Sequence, residues 1–259
     1  MVLSNQPDTL LLGLDALDPD VVFPPDDLES DEPPLESTRH LKQLILLLTC
    51  LEWLWSDRAD FFVGGNLTVY YNIEQLTTRD FRGPDLFVAL HTERRERKSW
   101  MVWAEGGQYP NFILELLSDS TASVDRGVKK QLYQDIFRTP EYLWFHPDTL
   151  EFQGFRLISS RYEAIVPNEQ GWLWSEALQL YLGIFESRLR FFTATGALVP
   201  TPEEAALQAQ AQAETERQRA EAEQQRAEQA EAQTATERQR VDQLLAQLRA
   251  AGIDPDSLS

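Results

Sequence analysis

A chain of 259 residues accommodates one sizeable domain and an appendage, and 42 acidic against 23 basic residues give it a formal charge of −19. So acidic a chain implies no large basic face of the kind that grips nucleic acid by displacing counterions. A single cysteine, Cys50, excludes an internal disulfide framework, and the longest apolar run, residues 44–48, is far too short to span a bilayer.

The charge is unevenly distributed. Residues 1–36 hold ten acids and no Lys or Arg, and residues 203–259 hold twelve acids and six bases, which leaves twenty acids against seventeen bases between them. Residues 1–36 are rich in Asp, Glu and Pro and bury little, so they are expected to form an extended, poorly ordered lead-in. They lack the positive segment and apolar stretch of a secretory signal, and the chain reads as soluble and cytoplasmic, without a membrane partner.

Residues 37–201 carry the patterns of a folded domain. Leu41, Leu44, Ile45, Leu48, Leu51 and Trp55 recur at the spacing of one helical face, which predicts a helix over 37–56. Residues 61–72 read as two strands around a glycine turn. Pro84-Asp85 opens a stretch, 86–90, that is apolar at every position, the mark of a strand buried on both faces. Residues 91–100 are a polar excursion, and the basic run Arg94, Arg95, Arg97 and Lys98 is either a solvated turn or an arm that contacts phosphates. Strands are expected at 99–104 and 112–117, the latter interrupted only by Glu115. Ser118 to Ser123 supply capping groups for a helix over 121–138, whose buried stripe is expected at Val124, Val128, Leu132 and Ile136. Residues 141–145 form another strand, 151–157 and 161–166 an antiparallel pair, and 172–193 one or two more β segments. The mixture is α/β.

Residues 202–259 change character. Ala, Glu, Gln and Arg dominate, all good helix formers. A seven-residue echo places Ala213, Ala220, Ala227, Thr234, Val241 and Leu248 in one thin seam, short of the paired apolar seam of a robust coiled coil. A solvated helix and a weak oligomerisation stalk are both open, and the latter would build a homodimer.

Two carboxylates carry the chemistry. Asp85 begins a fully apolar strand and Glu115 interrupts another, and a buried carboxylate must be neutralised, paired or bound to a metal. Two acids on neighbouring central strands suit a hard cation such as Mg²⁺. On pattern alone Glu115 is equally a strand-end acid that reaches solvent or pairs with Lys or Arg, and Asp85 a turn residue. Lys129 lies near the expected stripe of the following helix and reaches inward, or else pairs at the surface with Asp125, four residues earlier. His40, His91 and His146 lack zinc-ligand spacing, and Ser118 lacks a nucleophile elbow.

Arg82-Gly83-Pro84-Asp85-Leu86, Ile113-Leu114-Glu115-Leu116-Leu117, Asp125-Arg126-Gly127-Val128-Lys129-Lys130 and Pro140-Glu141-Tyr142-Leu143-Trp144, in that order, resemble the Uma family of restriction endonuclease-like proteins over about residues 35–200. That family belongs to the PD-(D/E)XK nuclease superfamily and is abundant in cyanobacteria. The resemblance implies a mixed β-sheet flanked by helices, and a metal-dependent endonuclease acting on DNA with Mg²⁺ or Mn²⁺. It makes Asp85 and Glu115 the metal ligands. The lysine expected two residues after Glu115 is replaced by Leu117, and Lys129 takes its place as the catalytic cation. Glu36, ahead of Glu52, matches a further acid that some members set near the metal. The alternative is a nuclease-fold module without strong catalysis, acting through its C-terminal helix.

Overall fold

The computed structural model describes residues 24–32, 35–72, 74–75 and 83–252. The chain divides into two compact units, residues 1–199 and 200–259.

The first unit opens with α1 (Thr38–Leu54), whose Ser37 side chain caps the His40 N–H. Strands β1 (Phe61–Gly65), β2 (Val69–Tyr70), β3 (Leu86–Leu90), β4 (Trp100–Met101) and β5 (Phe112–Leu116) follow. A helical stretch over 122–135, here α2, leads to β6 (Glu141–Phe145), β7 (Phe152–Ile158) and β8 (Arg161–Ala164). Six of these strands form one sheet in the order β1-β3-β5-β6-β7-β8. Only β5 and β6 run parallel, joined by the crossover through α2; the other neighbours are antiparallel. Strands β9 (Leu173–Ser175), β10 (Leu180–Phe185) and β11 (Arg188–Phe192) make a second sheet, so 172–193 hold three strands rather than one or two. The expected strand at 99–104 is only the short β4, paired in parallel with β2.

The all-apolar strands behave as their composition requires. Leu86 and Val88 enter the cluster shared with α1, whereas Phe87 and Ala89 enter the opposite cluster with Tyr133, Phe137 and Tyr142. Both faces of β3 and β5 are therefore buried, which is why their sequences do not alternate. The Phe87 ring also covers Gly64, where any Cβ would lie 2.3 Å from it.

Both helices turn inward a face that only partly matches their apolar spacing: of the predicted α1 face, Leu44, Leu51 and Trp55 are buried and Leu48 packs against the core. In α1, Leu41 and Ile45 are exposed, while His40, Gln43, Leu44, Leu47 and Leu51 are buried. The helix is apolar over so wide an arc that spacing does not single out a side, and polar bonds decide it. Gln43 donates to the Leu189 carbonyl at 2.9 Å and accepts from the Leu189 N–H at 3.1 Å, tying α1 to β11. The His40 Nε2–H donates to the Leu117 carbonyl at 2.8 Å, tying α1 to the end of β5. In α2, Val128 and Ile136 are exposed; Ala122, Asp125, Tyr133 and Phe137 face the sheet. Asp125–Lys129 is wound as a π-helix, a wider turn closed every five residues, which shifts the stripe. The Tyr142 hydroxyl of β6 donates to the Asp125 carbonyl at 2.8 Å, satisfying a backbone group in that turn.

Residues 24–32 run extended but are tied down by bonds that their composition does not announce. The Ser99 hydroxyl donates to the Leu28 carbonyl at 2.6 Å, the Tyr70 hydroxyl to the Glu29 carbonyl at 2.8 Å, and the Thr68 hydroxyl to Glu32 at 3.0 Å. Residues 1–23 lie outside the described residues.

The second unit is α3 (Pro202–Ala250), a helix of 49 residues or about 73 Å. Thr201 and Glu204 form a reciprocal capping box at its start, and none of its residues is buried. No helix among the described residues is long and apolar enough to cross a membrane.

Candidate metal and catalytic site

Period-two alternation sends Ile113, Glu115 and Leu117 of the β5 segment to the α2 side of the sheet, and Phe112, Leu114 and Leu116 to the α1 side. Glu115 is fully buried there. Its Oε1 accepts a hydrogen bond from the Tyr133 hydroxyl at 2.7 Å, and its Oε2 accepts from Lys129 Nζ at 3.1 Å and the Asp85 N–H at 3.3 Å. Asp85 precedes β3 directly. Its Oδ2 accepts from the Leu116 N–H at 2.7 Å, and its carbonyl accepts from the Asn66 N–H at 2.8 Å. The Leu116 N–H thus fixes the carboxylate and the Asn66 N–H the backbone, while the residue lines a cavity.

Lys129 reaches inward from the π-turn to Glu115 and also lies 3.1 Å from Asp125 Oδ1. The wider turn brings residues four apart nearly into line, so Asp125 and Lys129 both face the sheet. The pairing of Lys129 with Asp125 that spacing allowed is therefore present, but buried rather than at the surface. Asp85, Glu115 and Lys129 come together.

Their electrostatics are those of a crowd of acids around one cation. Burial pushes the Glu115 carboxyl well above its ordinary range; Lys129 opposes this, and Asp85 and Asp125 reinforce it. Burial likewise raises Asp85, against the pull of Lys129 and the Leu116 N–H. For Lys129 burial acts in the opposite sense, but Glu115, Asp125 and Asp85 together outweigh it and hold the ammonium raised and charged. Tyr133 is pushed far up by burial, with Glu115 adding to it, and so remains a neutral donor.

A cavity of about 160 Å³ opens on this cluster and is lined by Glu32, Glu36, His40, Asp85, Asp125 and Lys129, among others. Glu36 stands at its exposed rim, where the Ser120 hydroxyl bonds it and serine bonding lowers its pKa. Glu52, the other acid considered, instead pairs with Arg94 on the far side of α1. Glu32 occupies the wall beside Gly83, where a Cβ would lie 2.5 Å from its carboxyl carbon. Burial raises Glu32 as well, with Thr68 and Lys129 opposing.

Tyr133 and Glu32 were missed from sequence, and Asp125 was read only as a surface partner of Lys129. Asp125 and Tyr133 flank Lys129 at four-residue intervals, a polar stripe that outranked the apolar one used to orient the helix. Glu32 gives no local signal, since its partners lie 36 residues or more away.

Other buried polar groups have ordinary explanations. Glu141 of β6 is as buried as Glu115 but fully satisfied, by Arg156 at 3.2 Å, the Ser175 hydroxyl and the Glu176 N–H at 2.8 Å. Glu141→Ala is expected to lower unfolding free energy by about 3 kcal/mol, because it strands these donors and a half-buried guanidinium. Urea denaturation checks this, and a loss below about 1 kcal/mol would make the network dispensable. Ser118 bonds Thr121 and Ser120 within the turn before α2, as a capping group does. The basic run is consumed internally: Arg94 pairs with Glu52, Arg95 and Arg97 with Glu105, and Lys98 with Glu29.

A model of the Uma2 family, described as "Putative restriction endonuclease", matches residues 13–189. None of the curated proteins matches the chain. Among solved structures, the chain is similar to that of a "putative nuclease belonging to DUF820" from Anabaena variabilis ATCC 29413, with 11% identity and a TM-score of 0.41, over 56% of this chain and 76% of that one.

Proposed function

Because this chain belongs to the Uma2 family of restriction endonuclease-like proteins, we propose that it hydrolyses phosphodiester bonds of DNA with a divalent cation, Mg²⁺ or Mn²⁺, held by Asp85 and Glu115. The observation that carries the reading is the meeting of Asp85, Glu115 and Lys129: Asp85 and Lys129 line one cavity, and Glu115, fully buried behind it, accepts from the Asp85 N–H and from Lys129.

The donor set fits a hard cation. Asp85, Glu115 and Asp125 share the single ammonium of Lys129, which lies 3.1 Å from both Glu115 Oε2 and Asp125 Oδ1. Oxygen donors with surplus, poorly solvated negative charge are what Mg²⁺ and Mn²⁺ take. Among the described residues no three His, Cys, Asp or Glu form a metal cage; Asp85 and Glu115 would supply two oxygen donors, and waters the rest of the shell. When bound, the cation would polarise a phosphate oxygen and acidify a water.

The protein's own groups supply the rest. Tyr133 and Lys129 hold the two oxygens of Glu115 in a fixed orientation. The Leu116 N–H holds Asp85. Lys129, kept protonated by its acidic neighbours, offers a positive charge to the oxyanion that develops during attack on phosphorus.

Plasmid nicking by the full chain tests the reading. Wild-type protein is expected to relax supercoiled DNA with Mg²⁺ and not with EDTA, and Asp85→Ala and Glu115→Ala to lose at least a hundredfold in rate. Equal cleavage by all three proteins would refute it.

A further inference from the structure

A second cavity, of about 350 Å³, adjoins the first across α1 and is lined by Arg39, Lys42, Gln43, Pro147, Glu186 and Arg188, among others. We propose that it is a subsite for a phosphate of the DNA backbone, gripped by Arg39, Lys42 and Arg188. The inference takes its ligand class from the nuclease reading above, and adds a place where the substrate is held away from the reacting bond.

The placement follows from α1. His40 lines the first cavity, while Arg39, Lys42 and Gln43 line the second, so adjoining faces of the same helical turns serve both. A helix with its side chains is about 10 Å across. A phosphate held here would therefore belong to a nucleotide near, but not at, the one at Lys129.

The charges favour a polyanion. Lys42 and Arg188 are exposed and, among the described residues, make no ion pair. Arg39 lies 3.0 Å from Asp148, but both side chains are more than 60% exposed, so that pair is weak and can give way to a phosphate. Glu186 is the carboxylate on the wall, against three cations. Arg188 begins β11 directly after Glu186 and Ser187, whose φ values of 49° and 59° make a tight left-handed turn without glycine. Gln43 fixes the next residue, Leu189, to α1 through both of its backbone groups. Arg188 is thus held opposite Arg39 and Lys42 by the fold.

The need for such a site is equally plain. The reacting cavity is lined by carboxylates and repels a DNA backbone until a cation enters, and Arg94, Arg95 and Arg97 of the densest basic run are paired with Glu52 and Glu105. Arg39, Lys42 and Arg188, scattered in sequence, are the cations gathered at a cavity beside it.

The test uses full-length Glu115→Gln protein, fluorescence anisotropy with a labelled duplex, and salt from about 50 to 200 mM. Adding Arg39→Ala, Lys42→Ala and Arg188→Ala together is expected to weaken binding at least tenfold at the lowest salt and to reduce the slope of log Kd against log salt by about 2 to 3. Lys42→Ala with Arg188→Ala, which leaves the Arg39 contacts intact, should reduce the slope by about 2. Lys42→Arg with Arg188→Lys should restore it. An unchanged affinity and slope, or no binding by the parent, overturns the subsite. Plasmid cleavage by wild-type protein is scored separately. Cleavage with an unchanged slope removes only the subsite; charge-dependent binding without cleavage keeps the subsite and removes the nuclease assignment.

Discussion

Lys129→Met is expected to destabilise the protein by about 3–5 kcal/mol near neutral pH, the usual cost of stripping a buried pair of one partner. The lysine side chain is 17% exposed, and Glu115 and Asp125 beside it are almost wholly enclosed. Without the ammonium, three neighbouring carboxylates are left to repel one another in a poorly solvated pocket. The penalty should shrink in acid, where protonation removes the same repulsion. Glu115→Gln in the Lys129→Met background should recover about 2 kcal/mol or more, and the double-mutant cycle would measure that coupling. Nicking activity should fall with Lys129→Met by about a hundredfold or more, as for loss of one group that stabilises an oxyanion. Urea titrations of the four proteins give the stability arm. A loss below about 1 kcal/mol, or no recovery in the double variant, would show that Lys129 does not neutralise this cluster.

Strands and helices were legible to different degrees, and the site inherits the difference. The apolar runs at Leu86–Leu90 and Phe112–Leu116, the second broken only by Glu115, point to burial on both faces, so the positions of Asp85 and Glu115 were legible while their roles came from the family resemblance. Helix faces were less determinate. Leu41 and Ile45, or Val128 and Ile136, satisfy helical spacing as well as the residues that turn inward. What decides is polar and long-range: Gln43 bonding to Leu189, Tyr142 supporting the carbonyl at Asp125, and a π-turn that no propensity announces. Lys129 survives the shift because it lies on the new inward face with Asp125 and Tyr133. Glu32 was beyond reach, because its place at the cavity depends on contacts made only after the chain folds. The basic cavity at Arg39, Lys42 and Arg188 was equally hidden, whereas the conspicuous run from Arg94 to Lys98 is neutralised by Glu29, Glu52 and Glu105.

The same surplus of negative charge makes stability and cation binding interdependent in pH. Asp85 and Glu115 have raised carboxyl pKa values in the fold, so above the ordinary carboxylate range the native state binds protons that the unfolded chain has released. Metal-free stability must then decline as pH rises through that interval, since it falls wherever the native state holds more protons. The raised Lys129 does not disturb this between pH 5 and 8. Its contribution is complete below the ordinary lysine pKa and is lost only as pH climbs through the raised value. Glu36, whose pKa is lowered, contributes above the ordinary carboxylate value and fades only in stronger acid. A divalent cation binds the ionised carboxylates, so its stabilising effect should grow over the interval in which metal-free stability declines. At a hundredfold excess over Kd it contributes about 2.7 kcal/mol, or roughly 5–10 °C in Tm for a domain of this size. Thermal melts with and without Mg²⁺ are therefore expected to coincide near pH 5 and to separate by several degrees at pH 8. Asp85→Asn and Glu115→Gln should each abolish most of the separation while raising metal-free stability at pH 8, because each removes a buried negative charge. A Tm gain of the same size at pH 5 and pH 8, or one that persists in both variants, would place the cation elsewhere on this acidic chain.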